Sequence, residues 1–159
     1  MPSKTDLAYL STIIQSLGRK YDATTFEPHC TLFSPISDLK SSIKVIDTFG
    51  SQPFQVKSVC LNHSDVIWKT VFIELEMNDE LEWLNQKFSD ISVMDYEFKP
   101  HISLIYQSIS SKKRQVIIDN LDLKKYYKMD GIAIMDTNQS VEEWKKVYYK
   151  EKNDYKNSI

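Results

Sequence analysis

The chain of 159 residues has 42% hydrophobic and 26% charged side chains and a net charge of −2, the profile of one globular domain with a sizeable core. That balance excludes a protein that coats DNA or RNA through a basic surface, but it leaves room for a small phosphorylated ligand in a local pocket. Two cysteines, Cys30 and Cys60, are too few for a disulfide framework and read as thiols of a cytoplasmic protein.

Residues 5–17 have helical spacing, with Leu7, Leu10, Ile13, Ile14 and Leu17 on one face and Gly18 as the stop. Lys4, Asp6, Gln15 and Arg19 interrupt this opening stretch, so no signal peptide is expected, and no run approaches the ~20 apolar residues of a membrane span. A short strand is expected over 29–33, after Pro28. A helix follows over 38–49, started by Asp38 and buried along Leu39, Ile43, Ile46 and Phe49. Residues 53–61 read as a strand through Phe54, Val56 and Ser58, and Asn62-His63-Ser64-Asp65 as a turn with a solvated His63. The β-branched and aromatic run 66–76 reads as the strongest strand. Asn78 or Asp79 caps a helix over 79–89 that buries Leu81, Leu84 and Phe88. A strand over 101–106 and a helix from Ser110 or Ser111 to about 121 come next. Residues 129–136 and 142–150 are final strands, with a short helix over 144–149 as the alternative for the last.

This order repeats. An offset of 72 residues superposes Phe26 on Phe98, Pro28 on Pro100, His29 on His101, Thr31 on Ser103 and Leu32 on Leu104, with the flanking helices in register. The expected architecture is α+β: a single domain over 1–159 with two lobes, an internal repeat of about 1–61 and 66–136, and a C-terminal strand 142–150. Two antiparallel sheets related by a pseudo-twofold axis line a central cleft, with helices outside.

In a strand, residues i and i+2 share a face. His29 would therefore lie beside Thr31, and His101 beside Ser103, while Cys30 and Ile102 point to the core. Pseudo-symmetry brings two imidazoles and two hydroxyls to one point. One imidazole can take a proton from water while the other protonates a leaving oxygen. Thr31 and Ser103 can donate to phosphate oxygens. No cofactor is required, and no Cys-x-x-Cys or His-Glu-x-x-His spacing argues for a metal.

These residues resemble the 2H phosphoesterase superfamily, defined by two His-x-Thr/Ser motifs. Phe26-Glu27-Pro28-His29-Cys30-Thr31-Leu32, residues 65–72 and Phe98-Lys99-Pro100-His101-Ile102-Ser103-Leu104-Ile105-Tyr106 look most like the plant- and yeast-type cyclic phosphodiesterases, with Val141-Glu142-Glu143-Trp144 as a weaker match. The resemblance implies metal-independent opening of nucleoside 2′,3′-cyclic phosphates to 2′-phosphates and of ADP-ribose 1″,2″-cyclic phosphate to the 1″-phosphate. It implies that His29 and His101 are the acid/base pair, that Thr31 and Ser103 bind phosphate, and that Tyr106 and Trp68 lie near the substrate and its base. Strand-end packing for Tyr106 and a core position for Trp68 stay open beside those roles. Relatives generally begin with a strand that bears an aromatic. Here Met1-Pro2-Ser3-Lys4 already reads as the loop after it, so that strand is expected to be missing and a sheet edge exposed.

The expected partner is a small cyclic-phosphate nucleotide, with no DNA and no membrane. The alternatives are a phosphoesterase acting on RNA ends or cyclic oligonucleotides, and a nucleotide-binding module without turnover. Which histidine is base, which nucleobase is preferred and which oligomeric state holds are not legible in the sequence.

Overall fold

A computed structural model describes residues 1–50 and 52–151. Helix α1, Lys4–Tyr21, opens at Ser3, whose Oγ accepts from the Asp6 N–H. It buries Leu10, Ile14 and Leu17. Gly18 does not stop it. The helix runs on to an Asp22 cap at φ 51°, and the Ala23 N–H returns to the Gly18 carbonyl at 3.0 Å. A Cβ at Gly18 would stand 2.9 Å from both the Ala23 carbonyl oxygen and Thr25 Cγ2, so the glycine serves the close return of the chain.

Helix α2, Leu39–Thr48, is capped by Asp38, which accepts from the Lys40 and Ser41 N–H groups. Its buried stripe is Ser42, Val45 and Ile46, and Leu39 stays 46% exposed. Strand β1 is Phe54–His63 and strand β2 is Val71–Leu75. The expected strand over 66–76 is therefore cut short. Residues 67–69 form a 3-10 turn, because Ser64 Oγ donates to the Lys69 carbonyl and Thr70 Oγ1 to the Ile67 carbonyl. Side-chain hydroxyls here offer the backbone an alternative to the ladder. His63 is likewise no turn residue. It ends β1 opposite Val71, half-buried, with Nδ1 shut off from any partner.

Helix α3, Asp79–Asp90, is capped by Asn78, strand β3 is His101–Ile105, and helix α4, Ser111–Asp119, is capped by Ser110. The strand expected over 129–136 divides into β4, Tyr126–Met129, and β5, Gly131–Asp136. Strand β6, Lys145–Glu151, follows a 3-10 turn at Val141–Glu143. Residues 29–33 form no strand; Cys30 makes one isolated bridge to Ile102. At the other end of the sheet, Pro2 bridges Met129 and the Ser3 N–H donates to the Lys128 carbonyl at 2.7 Å, so residues 1–3 run beside β4.

The four-stranded sheet has the order β3-β2-β1-β4, and β5 pairs with β6; all pairings are antiparallel. The fold is α+β, its curled sheets forming a half-barrel. Two apolar cores occupy the two lobes. Leu10, Ile14 and Leu17 of α1 and Ile117 of α4 pack on Ile73, Ile102 and Leu104. Val45 and Ile46 of α2 and Leu84 and Phe88 of α3 pack with Phe33, Ile132 and Ile134. Moving α1 by the repeat offset lands it on α3, and α2 lands on α4. The helix pair of one lobe is thus the repeat image of the pair in the other. In each lobe the helices pack on one sheet.

Candidate active site

Both histidine words begin at a buried proline, Pro28 and Pro100, which holds the residue before it extended. Cys30 and Ile102 then meet as an antiparallel pair. Continuing that register one residue each way sets His29 against Ser103 and Thr31 against His101. Pairs flanking an antiparallel pair point to the opposite face, with opposed Cβ atoms about 4.5–5.5 Å apart. Ile102, fully buried, takes the core side, and burial pushes the Cys30 thiol up to about 11. That register, continued, would leave the four polar side chains to the other face, and the charge of His29 is felt at His101.

The two imidazoles are held alike. His29 Nδ1 lies 2.7 Å from the Glu27 carbonyl oxygen, and His101 Nδ1 lies 2.7 Å from the Lys99 carbonyl oxygen. A carbonyl only accepts, so each Nδ1 carries the proton and each neutral ring keeps its Nε2 lone pair free. Burial draws both imidazoles below the ordinary histidine range, opposed in each by the carbonyl bond. For His101 the charges of Lys69 and His29 add to the lowering. Burial thus disfavours the charged ring at both positions, and an arriving anion would favour a proton on one of them.

The hydroxyls are not alike. Thr31 is half-buried. Ser103 is buried, and its Oγ donates to the Trp68 carbonyl at 2.6 Å. That bond ties the 67–69 turn to the site. Trp68 therefore sits on a turn, not within a strand, and is 50% exposed. Its ring meets Tyr106 edge-on at 5.3 Å. Tyr106 is buried and stacks on Phe26 at 3.7 Å. Burial pushes its phenol up to about 12, against the neighbouring Ser103 hydroxyl, so it stays a donor.

Trp144 and Lys69, near these groups, escaped the sequence reading, whereas Phe72 was expected nearer the cleft, on the face of Trp68. Trp144 lies 6.3 Å from His29, 6.0 Å from Trp68 and 6.1 Å from Tyr106, centroid to centroid. It follows the Val141–Glu143 turn, where no periodicity marks it; the weak match of that tail was its only signal. Phe72 meets His101 edge-on at 5.5 Å, and Lys69 Nζ lies 4.8 Å above the Phe72 ring. The lysine gave no signal, because it sits inside a run that reads as strand. His63, the third histidine, faces Val71 at the end of β1. Among the described residues no group of three or more His, Cys, Asp or Glu converges as a metal-binding set.

The arrangement can exchange protons at two imidazole nitrogens on one face, beside two hydroxyls and a partly exposed aromatic wall. A family model of cyclic phosphodiesterase-like proteins matches residues 1–150. No curated protein matches the chain. The chain belongs to the cyclic phosphodiesterase-like family and is a hydrolase of that type, consistent with the 2H phosphoesterase superfamily.

Proposed function

We propose, with that family membership as premise, that the protein opens ribose cyclic phosphates by a two-histidine acid/base mechanism that needs no metal. The substrates are nucleoside 2′,3′-cyclic phosphates, opened to 2′-phosphates, and ADP-ribose 1″,2″-cyclic phosphate, opened to the 1″-phosphate. The observation that supports this most is the Cys30–Ile102 bridge, whose register, continued one residue each way, would bring both histidines and both hydroxyls to one face.

In the first case one imidazole Nε2 takes a proton from water as its oxygen bonds to phosphorus. The bond from phosphorus to the 3′ oxygen breaks, and the other imidazole, protonated, gives its proton to that oxygen. Thr31 and Ser103 donate to the non-bridging oxygens, where negative charge gathers. Ser103 must turn from the Trp68 carbonyl to do so, which couples phosphate binding to the turn that carries Trp68. The Tyr106 phenol stands behind Ser103 as a further donor. The base stacks on the exposed side of Trp68 or Trp144, an interaction of about 1–3 kcal/mol per base.

The same reading gives a small nucleotide as partner, with an RNA 2′,3′-cyclic end as the larger alternative, and the cytoplasm as location. No helix among the described residues is long and apolar enough to cross a membrane. The test is turnover of adenosine 2′,3′-cyclic phosphate by the full chain in EDTA, with the product isomer resolved. Adenosine 2′-phosphate is expected. An exclusively 3′-phosphate product would contradict the assignment of the leaving oxygen. Hydrolysis confined to an RNA end would move the substrate, and tight binding with no turnover of either would leave a binding module.

A further inference from the structure

Lys69 closes the 3-10 turn Ile67–Lys69, and its backbone is fixed on both sides. Its N–H donates to the Val66 carbonyl at 2.8 Å and its carbonyl accepts from Ser64 Oγ at 2.7 Å. The preceding carbonyl, of Trp68, accepts from Ser103 Oγ. The turn is thus anchored to the phosphate-binding serine of the reading above. The side chains of Trp68 and Lys69 go to opposite ends of the site. Trp68 joins Tyr106 and Trp144 at the His29 end. Lys69 lies over Phe72, which abuts His101.

This ammonium is half-buried, and no carboxylate among the described residues forms an ion pair with it. Glu97 feels its charge but is bound to Lys99 at 2.7 Å. Glu74, opposite His101 on β2, is engaged by the Asn62 side-chain amide at 3.3 Å, on β1. A partly desolvated ammonium with only a ring beneath it has coordination to spare, and an ammonium is a natural phosphate ligand.

We propose that Lys69 is a phosphate-binding residue of this site: its ammonium, held over Phe72 beside His101 with no carboxylate partner among the described residues, meets the negative charge that the phosphate oxygens gain as the ring opens. This rests on the two-histidine reading. A cyclic diester carries one negative charge. The monoester product carries about −1.5 to −2 at neutral pH. A cation in this place therefore favours the transition state and the product over the substrate, and its loss falls on kcat more than on KM.

Lys69 also breaks the symmetry of the pair. The charged and titratable groups around His101 are Lys69 from the turn, His29 from the bridged segment and Glu74 from β2, besides the Lys99 carbonyl on its own approach. Lys69 and His29 both disfavour a second positive charge there.

Three variants test this, Lys69→Met, Lys69→Gln and Lys69→Arg, with folding checked by circular dichroism. The expected loss in Lys69→Met and Lys69→Gln is about tenfold in affinity for adenosine 2′-phosphate and about tenfold in kcat, with KM within about threefold and Lys69→Arg retaining most of both. The His101 ring-proton titration should move up in the two neutral variants. The binding and titration readouts need no turnover. A wild type that hydrolyses no cyclic phosphate, with binding still weakened in Lys69→Met, would remove the hydrolytic reading and keep Lys69 as a phosphate ligand. Wild-type affinity for adenosine 2′-phosphate in both folded neutral variants would overturn the proposal.

Discussion

The two histidine words are nearly the same in sequence and settle into different backbones. His101 opens β3, which pairs along its length with β2 and buries Ile102, Leu104 and Ile105. His29 lies in a segment with no ladder, tied to β3 by the Cys30–Ile102 bridge and to Tyr106, just past it, by a bridge at Thr24. Yet each imidazole keeps its Nδ1 bond to the carbonyl two residues back, at the same length. For His29 isolated bridges and one carbonyl stand where His101 has a ladder and one carbonyl. The surroundings differ as well. His29 faces Trp144 and Phe26, an aromatic end, whereas His101 faces Phe72 and Lys69, a cationic one. A repeated word has come to stand in two different surroundings.

The largest effect expected comes from removing either ring. His29→Ala and His101→Ala should each lower kcat/KM by about 10²–10⁴-fold. The double variant should be little worse than the poorer single one, because groups that act as a unit are not additive. Multiplying losses in steady-state assays would instead make the two words independent.

Next in size is the bridge, where the halves should part company. Ile102→Ala empties a fully buried position and should cost about 2–5 kcal/mol in urea unfolding. Cys30→Ala, at the half-buried partner, should cost about 1 kcal/mol or less. Equal costs would mean that the His29 segment bears as much of the fold as β3.

The aromatic end offers a smaller effect. Trp144→Ala should raise KM for a cyclic nucleotide by roughly 5- to 100-fold, the equivalent of one base stack, with kcat less affected. Trp68→Ala tests the neighbouring ring, and an unchanged KM in both would take the base elsewhere.

The smallest effect is on stability against pH. Burial holds both imidazoles below their ordinary value. The unfolded chain therefore binds protons at higher pH than the folded one. Stability is full above about pH 6.5 and is lost as the pH falls from there through the folded values. The melting temperature should drop between pH 7 and pH 5, and less so in the double His→Ala variant. A drop of the same size in that variant would place its origin elsewhere.

Much of this was legible in the sequence for definite reasons. Asp38, Asn78 and Ser110 each stand before an apolar periodic run, and each caps its helix. The repeat offset carried the helix pairs, hence the two lobes. What failed depended on tertiary partners. The run from Val66 to Leu75 has strand composition throughout. Its first part is bent by the Ser64, Thr70 and Ser103 hydroxyls, two of them several residues away or more. Gly18 resembled a helix stop because its reason, the return of Ala23 and Thr25, lies beyond the helix. The division of 129–136 falls at Asp130, whose N–H donates to the Met1 carbonyl at the far end of the chain. Trp144 and Lys69 joined the site through turns that no periodicity announces.

The central claim is that His29 and His101 act on one phosphate from one face. Nitrogen NMR of both imidazoles during titration with adenosine 2′-phosphate tests it most directly. The account expects the Nε2 resonances of His29 and His101 to shift together with a single dissociation constant, the Nδ1 protons to stay in place, and His63 to be silent. A response at only one of the two, or two separate constants, would contradict it.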